Sequence, residues 1–196
     1  MLLYISASGP KIQSYKRVCK DLGLRPKKFD IDTKHRWNST YLMLKSIDGY
    51  EEALINWLDL YCLYKSYTLD RFDFHVARLM MDFLEVFYEA TNELSGTYYC
   101  TSHLFVHNIF KITAQFAKYR DHEVLSLFVM GMETKFFQYW KSLPLLALMA
   151  LARDPRLKLK GVIFSMKYFN KNMCIDENDV DVIKAVDVRD GLEKNV

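Results

Sequence analysis

The residues with most chemistry to offer stand together between positions 27 and 44. Lys27, Lys28, Lys34 and Arg36 are interleaved with Asp30, Asp32 and Thr33, and Trp37, Asn38, Ser39, Thr40 and Tyr41 then open an apolar run. Cations of this kind neutralise phosphates, hydroxyl and amide groups at a helix start donate to phosphate oxygens, and an indole offers a face to an unpaired base. The same pattern has an ordinary structural reading, in which Trp37 caps an apolar core and Asn38 or Ser39 caps the helix. Spacing alone leaves both open.

Other chemistry is sparse. His103 and His107 are four apart and share a helix face, which is metal-ligand spacing, but no Cys or carboxylate stands at an obvious third position. Asp30 and Asp32 flank a helix start, and Asp176, Glu177, Asp179 and Asp181 lie in a polar stretch with no apolar frame, so neither group reads as a catalytic pair. The chain contains no Gly-rich phosphate loop, GxSxG elbow or HExxH pair. No catalytic residue, metal or cofactor is therefore expected. Cys19, Cys62, Cys100 and Cys174 are too far apart for a CxxC pair, and nothing at Met1 resembles a signal peptide. A reduced intracellular setting is expected.

The elements that must hold the 27–44 stretch are helical. With 51% hydrophobic and 15% aromatic residues over 196 positions, the chain has enough apolar surface for one folded domain, or two small ones, and disorder is excluded for most of it. Seven Gly and four Pro are too few for the turns of an all-β fold. The longest apolar run, Leu145 to Ala152, is far shorter than the roughly twenty residues of a membrane helix, so no membrane partner is expected. Helices are predicted over Pro10–Leu22 and over Asn38 to about Tyr61, the second bending near Asp48-Gly49. The clearest runs from Leu69 to Thr91, where Leu69, Phe72, Val76, Leu79, Phe83, Val86 and Ala90 step by three and four, widened by Met80 and Phe87, with Thr68 as N-cap. That stripe is too wide and too short for a dimer zipper and reads as intramolecular core. A further helix starts at Thr101 or Ser102 and presents Phe105, Ile109, Ile112, Phe116 and Tyr119. Another covers His122–Leu143 with Leu125, Phe128, Met132, Phe136, Tyr139 and Trp140. Pro144 and Asp154-Pro155 signal later helix starts, and a marginal helix is predicted over Glu177–Val188.

Charge is divided unevenly along these elements. Residues 1–45 hold ten Lys or Arg and three acids, residues 46–175 fourteen of each, and residues 176–196 three bases and seven acids. A net charge of +3 thus conceals a head of +7, a neutral body and a tail of −4. A basic head suits a polyanion, nucleic acid being the usual one, although a solvated surface has the same composition.

Arg36-Trp37-Asn38-Ser39-Thr40-Tyr41-Leu42-Met43-Leu44 resembles the segment that opens the helical insertion domain of hAT-superfamily transposases, especially the plant BED zinc finger, RICESLEEPER-like proteins. Phe83 to Thr91 with Leu94 to Ser102 is similar to the family's FLxxFYxAT…SGxxYxTS block, and Met132 to Trp140 with Asp154 to Leu159 to its MxxKFxxYW…LDPRxKL block. The resemblance covers roughly residues 8–170. Lys34-His35 departs from the Pro-Thr or Lys-Thr usual before the Arg-Trp pair, and Ala152-Arg153 departs from Val-Leu before the Asp. Neither change touches Arg36 or Trp37.

The resemblance implies an all-α multi-helix bundle of hAT insertion type with little or no sheet. It divides the chain into a basic helix and linker (1–36), the helical insertion-type domain (37–170) and an acidic, partly disordered tail (171–196). It implies a nuclear, DNA-binding fragment in which Arg36 contacts phosphate and Trp37 stacks on a base, with Lys27, Lys28, Lys34 and Asn38 beside them. The family cuts DNA with two Asp and one Glu on an RNase H-like core. This chain matches between the second Asp and the Glu, so no enzyme activity of its own is expected. Partners implied are transposon-end DNA and a second copy or a full-length transposase. The alternative is a domesticated or decayed helical module that binds another protein and has lost DNA.

Overall fold

The computed structural model describes residues 1–33, 36–61, 69–96, 102–140, 164, 167–168 and 171–172. Among them are seven helices and no strand: α1 (Leu2–Ser6), α2 (Gly9–Asp21), α3 (Trp37–Ile47), α4 (Glu51–Tyr61), α5 (Arg71–Leu94), α6 (Ser102–Tyr119) and α7 (Ser126–Trp140). The all-α expectation holds. The chain forms two compact units, Met1–Tyr88 and Glu89–Val196. Lys34, Thr68, Cys62, Cys100, Cys174, the proline-led starts at Pro144 and Asp154-Pro155, and the 177–188 helix lie outside the described residues, as does the His103 side chain.

In the first unit, α2 begins where Ser8 is extended and Pro10 occupies the first turn, a position where the missing N–H would be unpaired in any case. It ends in a Schellman turn. Gly23 takes φ +70°, its N–H donates to Lys20 O at 3.0 Å, and the Leu24 N–H reaches back to Cys19 O at 2.8 Å. Between these ends Tyr15, Val18 and Cys19 are buried against α4, whose Ala53, Leu54, Trp57 and Leu58 are buried in turn. Trp57 has no exposed surface, and its Nε1–H donates to Ser14 Oγ at 2.8 Å. An indole N–H sealed in without an acceptor would cost about 1–3 kcal/mol, so Ser14 on the inward edge of α2 fixes which residues of that helix face α4. Burial pushes the Tyr15 hydroxyl and the neighbouring Cys19 thiol above their ordinary pKa values, keeping both neutral.

The segment between α2 and α3 has no helix but is held at three places. Phe29 is buried, with its ring 5.4 Å from Tyr15 and 5.7 Å from Tyr50. The Asp30 N–H donates to Ser46 Oγ at 3.1 Å, and the Thr33 N–H to Ser39 Oγ at 2.8 Å. Residues 30–33 therefore run along α3 from its last turn to its first. There the Asp32 carboxylate accepts from the hydroxyls of Ser39 and Thr40, each at 2.9 Å.

What reads in sequence as one bent helix is two. Asp48 (φ −58°, ψ 129°) and Gly49 (φ +79°) form a type II turn closed by the Tyr50 N–H on Ile47 O at 2.9 Å. The positive φ demands the glycine and separates α3 from α4. Arg78 of α5 pairs with Asp48 and Glu51 across this turn. On the other side of α3, Tyr41 is buried, donates to Glu85 Oε1 at 3.2 Å and accepts from Lys45 Nζ at 3.0 Å, which raises the ammonium above its ordinary value.

α5 starts at Arg71 rather than Leu69. Asp70 Oδ1 accepts from the Asp73 N–H and Asp73 Oδ2 from the Asp70 N–H, at 2.9 and 3.0 Å, a reciprocal cap built on carboxylates. The predicted stripe needs correction at its first turn. Phe72 is 59% exposed, whereas Phe74 and Leu84, assigned to no stripe, are buried alongside Phe83, Phe87 and Ala90. The buried arc is wider than a three-four seam because α3 and α4 cover a second side, where Leu44, Ile47, Phe74, Ala77 and Met81 line one small hollow.

In the second unit, α6 buries Val106, Ile109, Ile112, Phe116 and Tyr119, close to expectation, and also the polar Asn108 and Thr113. Asn108 Nδ2 donates to Glu93 Oε2 at 2.9 Å, which holds that carboxyl below its ordinary value, and Thr113 Oγ1 donates to Phe110 O at 3.1 Å. α7 begins at Ser126, four residues later than predicted, because residues 120–125 form a turn in which Arg120 pairs with Glu133. Its inner line is Leu125, Val129 and Phe136, the last 5.4 Å from Phe116. Phe128 and Tyr139 face outward, at 37% and 71% exposure, which corrects their assignment to the stripe.

Two consequences are measurable. Burial pushes the Glu51 carboxyl up, but the Arg78 guanidinium and the backbone N–H groups of Glu51 and Gly49 outweigh it and hold the group below its ordinary 4.5. A carboxyl lowered by folding adds stability that is complete above its unfolded pKa and disappears as pH falls through the folded value. Thermal melts of wild type and Glu51→Gln should differ slightly at pH 7 and converge below about pH 4; a gap that persists at lower pH would mean the pair is not its source. Asp32→Ala should lower unfolding free energy by about 1 kcal/mol through loss of the two hydroxyl contacts, and Asp32→Asn, which keeps an acceptor, by less. Denaturant titration of the pair would show it, and equal losses would disprove the clip.

Candidate nucleic-acid interface

The first unit places its cations on a frame of buried aromatics. Lys27 and Lys28 precede the buried Phe29, and both are exposed. Lys27 Nζ lies 4.2 Å from the Tyr50 ring centroid, a cation–π contact that leaves its charge available. The Tyr50 hydroxyl donates to Arg25 O at 2.8 Å and so fixes the backbone just before the two lysines. At the other end of α3, exposed Arg36 is the N-cap residue, extended at φ −124° and ψ 92°, and makes no side-chain cap. Its carbonyl accepts from the Ser39 N–H at 2.9 Å and from Ser39 Oγ at 2.6 Å, while its guanidinium has no partner among the described residues.

These residues do not form one cluster. Segment 30–33 lies along α3 between Ser46 and Ser39, and seven residues at 1.5 Å each put the lysine end about 10 Å from the Arg36 end. The arrangement is a row, suited to successive phosphates of a backbone rather than to a single anion. Lys34 belongs to this stretch but lies outside the described residues.

Trp37 is the first residue of α3 and half-buried. Its ring meets Phe87 edge to face, with centroids 6.0 Å apart, so the indole packs on α5 while part of it stays in solvent. Both sequence readings of Trp37 therefore describe part of what is observed. Asn38 and Ser39 do not cap α3: the Asn38 Oδ1 is buried without a hydrogen-bond partner among the described residues, and Ser39 Oγ bonds Asp32, Thr33 and Arg36. The hydroxyls of Ser39 and Thr40, read in sequence as donors to phosphate, are engaged by Asp32. Charge from Arg36 and the lysines is what remains for an anion.

The sequence reading missed the residues that build this frame. Phe29 and Tyr50 are the anchors, and a lone aromatic between two lysines and Asp30 was the available signal. Nine of the ten head cations are described, and none pairs with a carboxylate among the described residues. By contrast several described carboxylates have structural partners, among them Asp32 with Ser39 and Thr40, Asp48 and Glu51 with Arg78, Asp70 and Asp73 with each other's backbone N–H, Glu85 with Tyr41, Glu93 with Asn108, and Glu133 with Arg120. No group of three or more His, Cys, Asp or Glu that could hold a metal occurs among the described residues, and no described helix is long and apolar enough to cross a membrane.

Known proteins resemble this chain over most of its length. Residues 103–194 match the family model described as hAT-like transposase, RNase-H fold; the described residues there include most of α6, the 120–125 turn and α7. The Putative AC transposase of Zea mays is 31% identical over 156 residues, 74% of this chain and 18% of that protein. Zinc finger BED domain-containing protein RICESLEEPER 2 of Oryza sativa subsp. japonica is 27% identical over 165 residues, covering 83% of this chain and 23% of that protein. DAYSLEEPER of Arabidopsis thaliana, another zinc finger BED domain-containing protein, is 28% identical over 172 residues, 86% of this chain and 23% of its own length. No solved structure matches the chain significantly. The chain spans about a fifth of the length of the curated relatives it matches. In these matches the chain is similar to the hAT-like transposases, the RICESLEEPER and AC proteins among them.

Proposed function

We propose that this chain is a DNA-binding segment of a hAT-like transposase, acting in the nucleus on transposon-end-like DNA and holding no cleavage chemistry of its own. Residues 1–36 are a basic helix and linker whose 27–36 part, with the start of α3, carries the contact, residues 37–170 are the helical body, and residues 171–196 are an acidic tail. Arg36 and the lysines 27, 28 and 34 neutralise successive phosphates, the exposed part of Trp37 stacks on a base, and the Asn38 Nδ2 is a further donor. One observation carries this reading: the described head cations have no carboxylate partners among the described residues, while several carboxylates are tied to structural partners. A surface built only for solubility gains nothing from excluding ion pairs, whereas one built for a polyanion must keep its charges available.

Fluorescence anisotropy with hairpin and single-stranded DNA at several salt concentrations tests it. Affinity should fall as salt rises, and Arg36→Ala should reduce the slope of log K against log salt by about 0.7 to 0.9, the contribution of one phosphate contact. Salt-independent binding, or a slope unchanged in Arg36→Ala, would sink the reading.

A second reading, helix-to-helix contact with another chain such as a full-length transposase or a second copy, is favoured by α7, where Leu127 and Met130 are 79% and 57% exposed. Light scattering on a size-exclusion column separates the two; a strict monomer that also fails to retain a full-length relative removes it.

A further inference from the structure

We propose that α2 carries a second, sequence-independent surface for double-stranded nucleic-acid backbone, made by Lys16, Arg17 and Lys20. The proposal rests on the DNA-binding reading above but uses none of its site residues. On the α2 helix, Ser14, Tyr15, Val18 and Cys19 point inward, tied to α4 by burial and by the Ser14–Trp57 bond. The opposite arc holds Gln13, Lys16, Arg17 and Lys20, all exposed, with Asp21 at its edge. Lys16 and Lys20 are one turn apart, about 6 Å along the axis, and Arg17 lies beside them. None of the three pairs with a carboxylate among the described residues, although Asp21 adjoins Lys20 in sequence.

Three features select the partner. The face carries no aromatic ring, so it has nothing on which unpaired bases could stack, unlike the Trp37 end. It offers charge and one amide, the groups that contact phosphate and sugar and carry no sequence information. It is also rigid, fixed at one end by Pro10 in the first turn and at the other by the Schellman turn, and a rigid cationic row suits the regular phosphate spacing of a duplex. Beyond that turn the chain passes through exposed Arg25 to Lys27 and Lys28. The two surfaces are thus joined by a short anchored connection.

The test compares duplex binding by the full chain with that of K16Q/R17Q/K20Q, with helicity checked by circular dichroism. The triple variant should lose about two to three units of salt slope, so that its disadvantage at 50 mM salt shrinks by up to about 40-fold at 200 mM. The charge-conserving K16R/R17K/K20R should keep the wild-type slope, which a merely structural role would not require. Duplexes of unrelated sequence should lose equally. If wild type binds duplex and the triple variant keeps its slope, this proposal fails while the Arg36 reading stands. If wild type binds no nucleic acid at any salt, both fail. If poly-L-glutamate of equal charge binds more tightly than duplex, the partner is an acidic protein and nucleic acid is overturned.

Discussion

The first unit is organised by one constraint: a tryptophan with no exposed surface must bury its ring and still satisfy its N–H. Trp57 does both by facing α2, where Ser14 accepts the proton and passes its own to the Lys11 carbonyl at 2.8 Å. Tyr4 meets the same indole edge to face at 6.1 Å, and Lys11 Nζ sits 3.2 Å from the Tyr4 ring centroid. Losing such a buried aromatic costs about 3–5 kcal/mol, a large part of a domain's net stability. Because the hydrogen bond is directional, the rotation of α2 about its axis is not free. Its polar arc is fixed to solvent by the same contact that fixes its apolar arc to the core.

From that rotation the placement of charge follows. The α2 helix ends at Gly23, and the chain leaving it would be unconstrained but for Phe29, which fits between Tyr15 and Tyr50. Residues 30–33 then lie along α3, and Asp32 reaches the hydroxyls of its first turn. A carboxylate near a helix N-terminus is favoured by the dipole, yet here it also lowers the positive potential that α3 alone would offer an anion. The Arg36 guanidinium has to restore it. The buried frame therefore leaves the described head cations out of ion pairs with described carboxylates, at some cost in self-repulsion. That arrangement makes little sense for stability and reasonable sense for binding.

Helical spacing made the existence of α2, α5 and α6 legible, whereas the Asp48-Gly49 pair, read in sequence as a bend within one helix, is a turn between two, with Gly49 at positive φ. The sequence was less informative where burial depends on distant partners. Phe72 fits the α5 stripe by spacing but lies in its first turn and is exposed, while Phe74 is covered by α3 and α4. Tyr139 likewise fits the α7 period and is outside. Period reports which residues share a face; it does not report how many neighbours the face has. At the candidate interface, Arg36 and Trp37 stand out by residue type, but the engagement of Ser39 and Thr40 by Asp32 does not, because that contact joins positions seven and eight apart through an irregular segment.

Trp37 shows how packing and binding can share one residue. Edge-to-face contact with Phe87 is worth about 0.5–1.5 kcal/mol beyond area burial, comparable to the 1–3 kcal/mol of stacking on a base. A fully exposed indole would have to be ordered by the ligand at an entropic cost, and a fully buried one could not reach it. Half-burial at the first position of α3 holds the ring in place beforehand while leaving part of it accessible. The aromatic chain Trp37–Phe87–Phe83, with Tyr41 on Tyr88 nearby, thereby ties the ring beside Arg36 to the core of α5. Any ligand stacked on Trp37 would feel a rigid support, and a change in α5 packing would be felt at the interface.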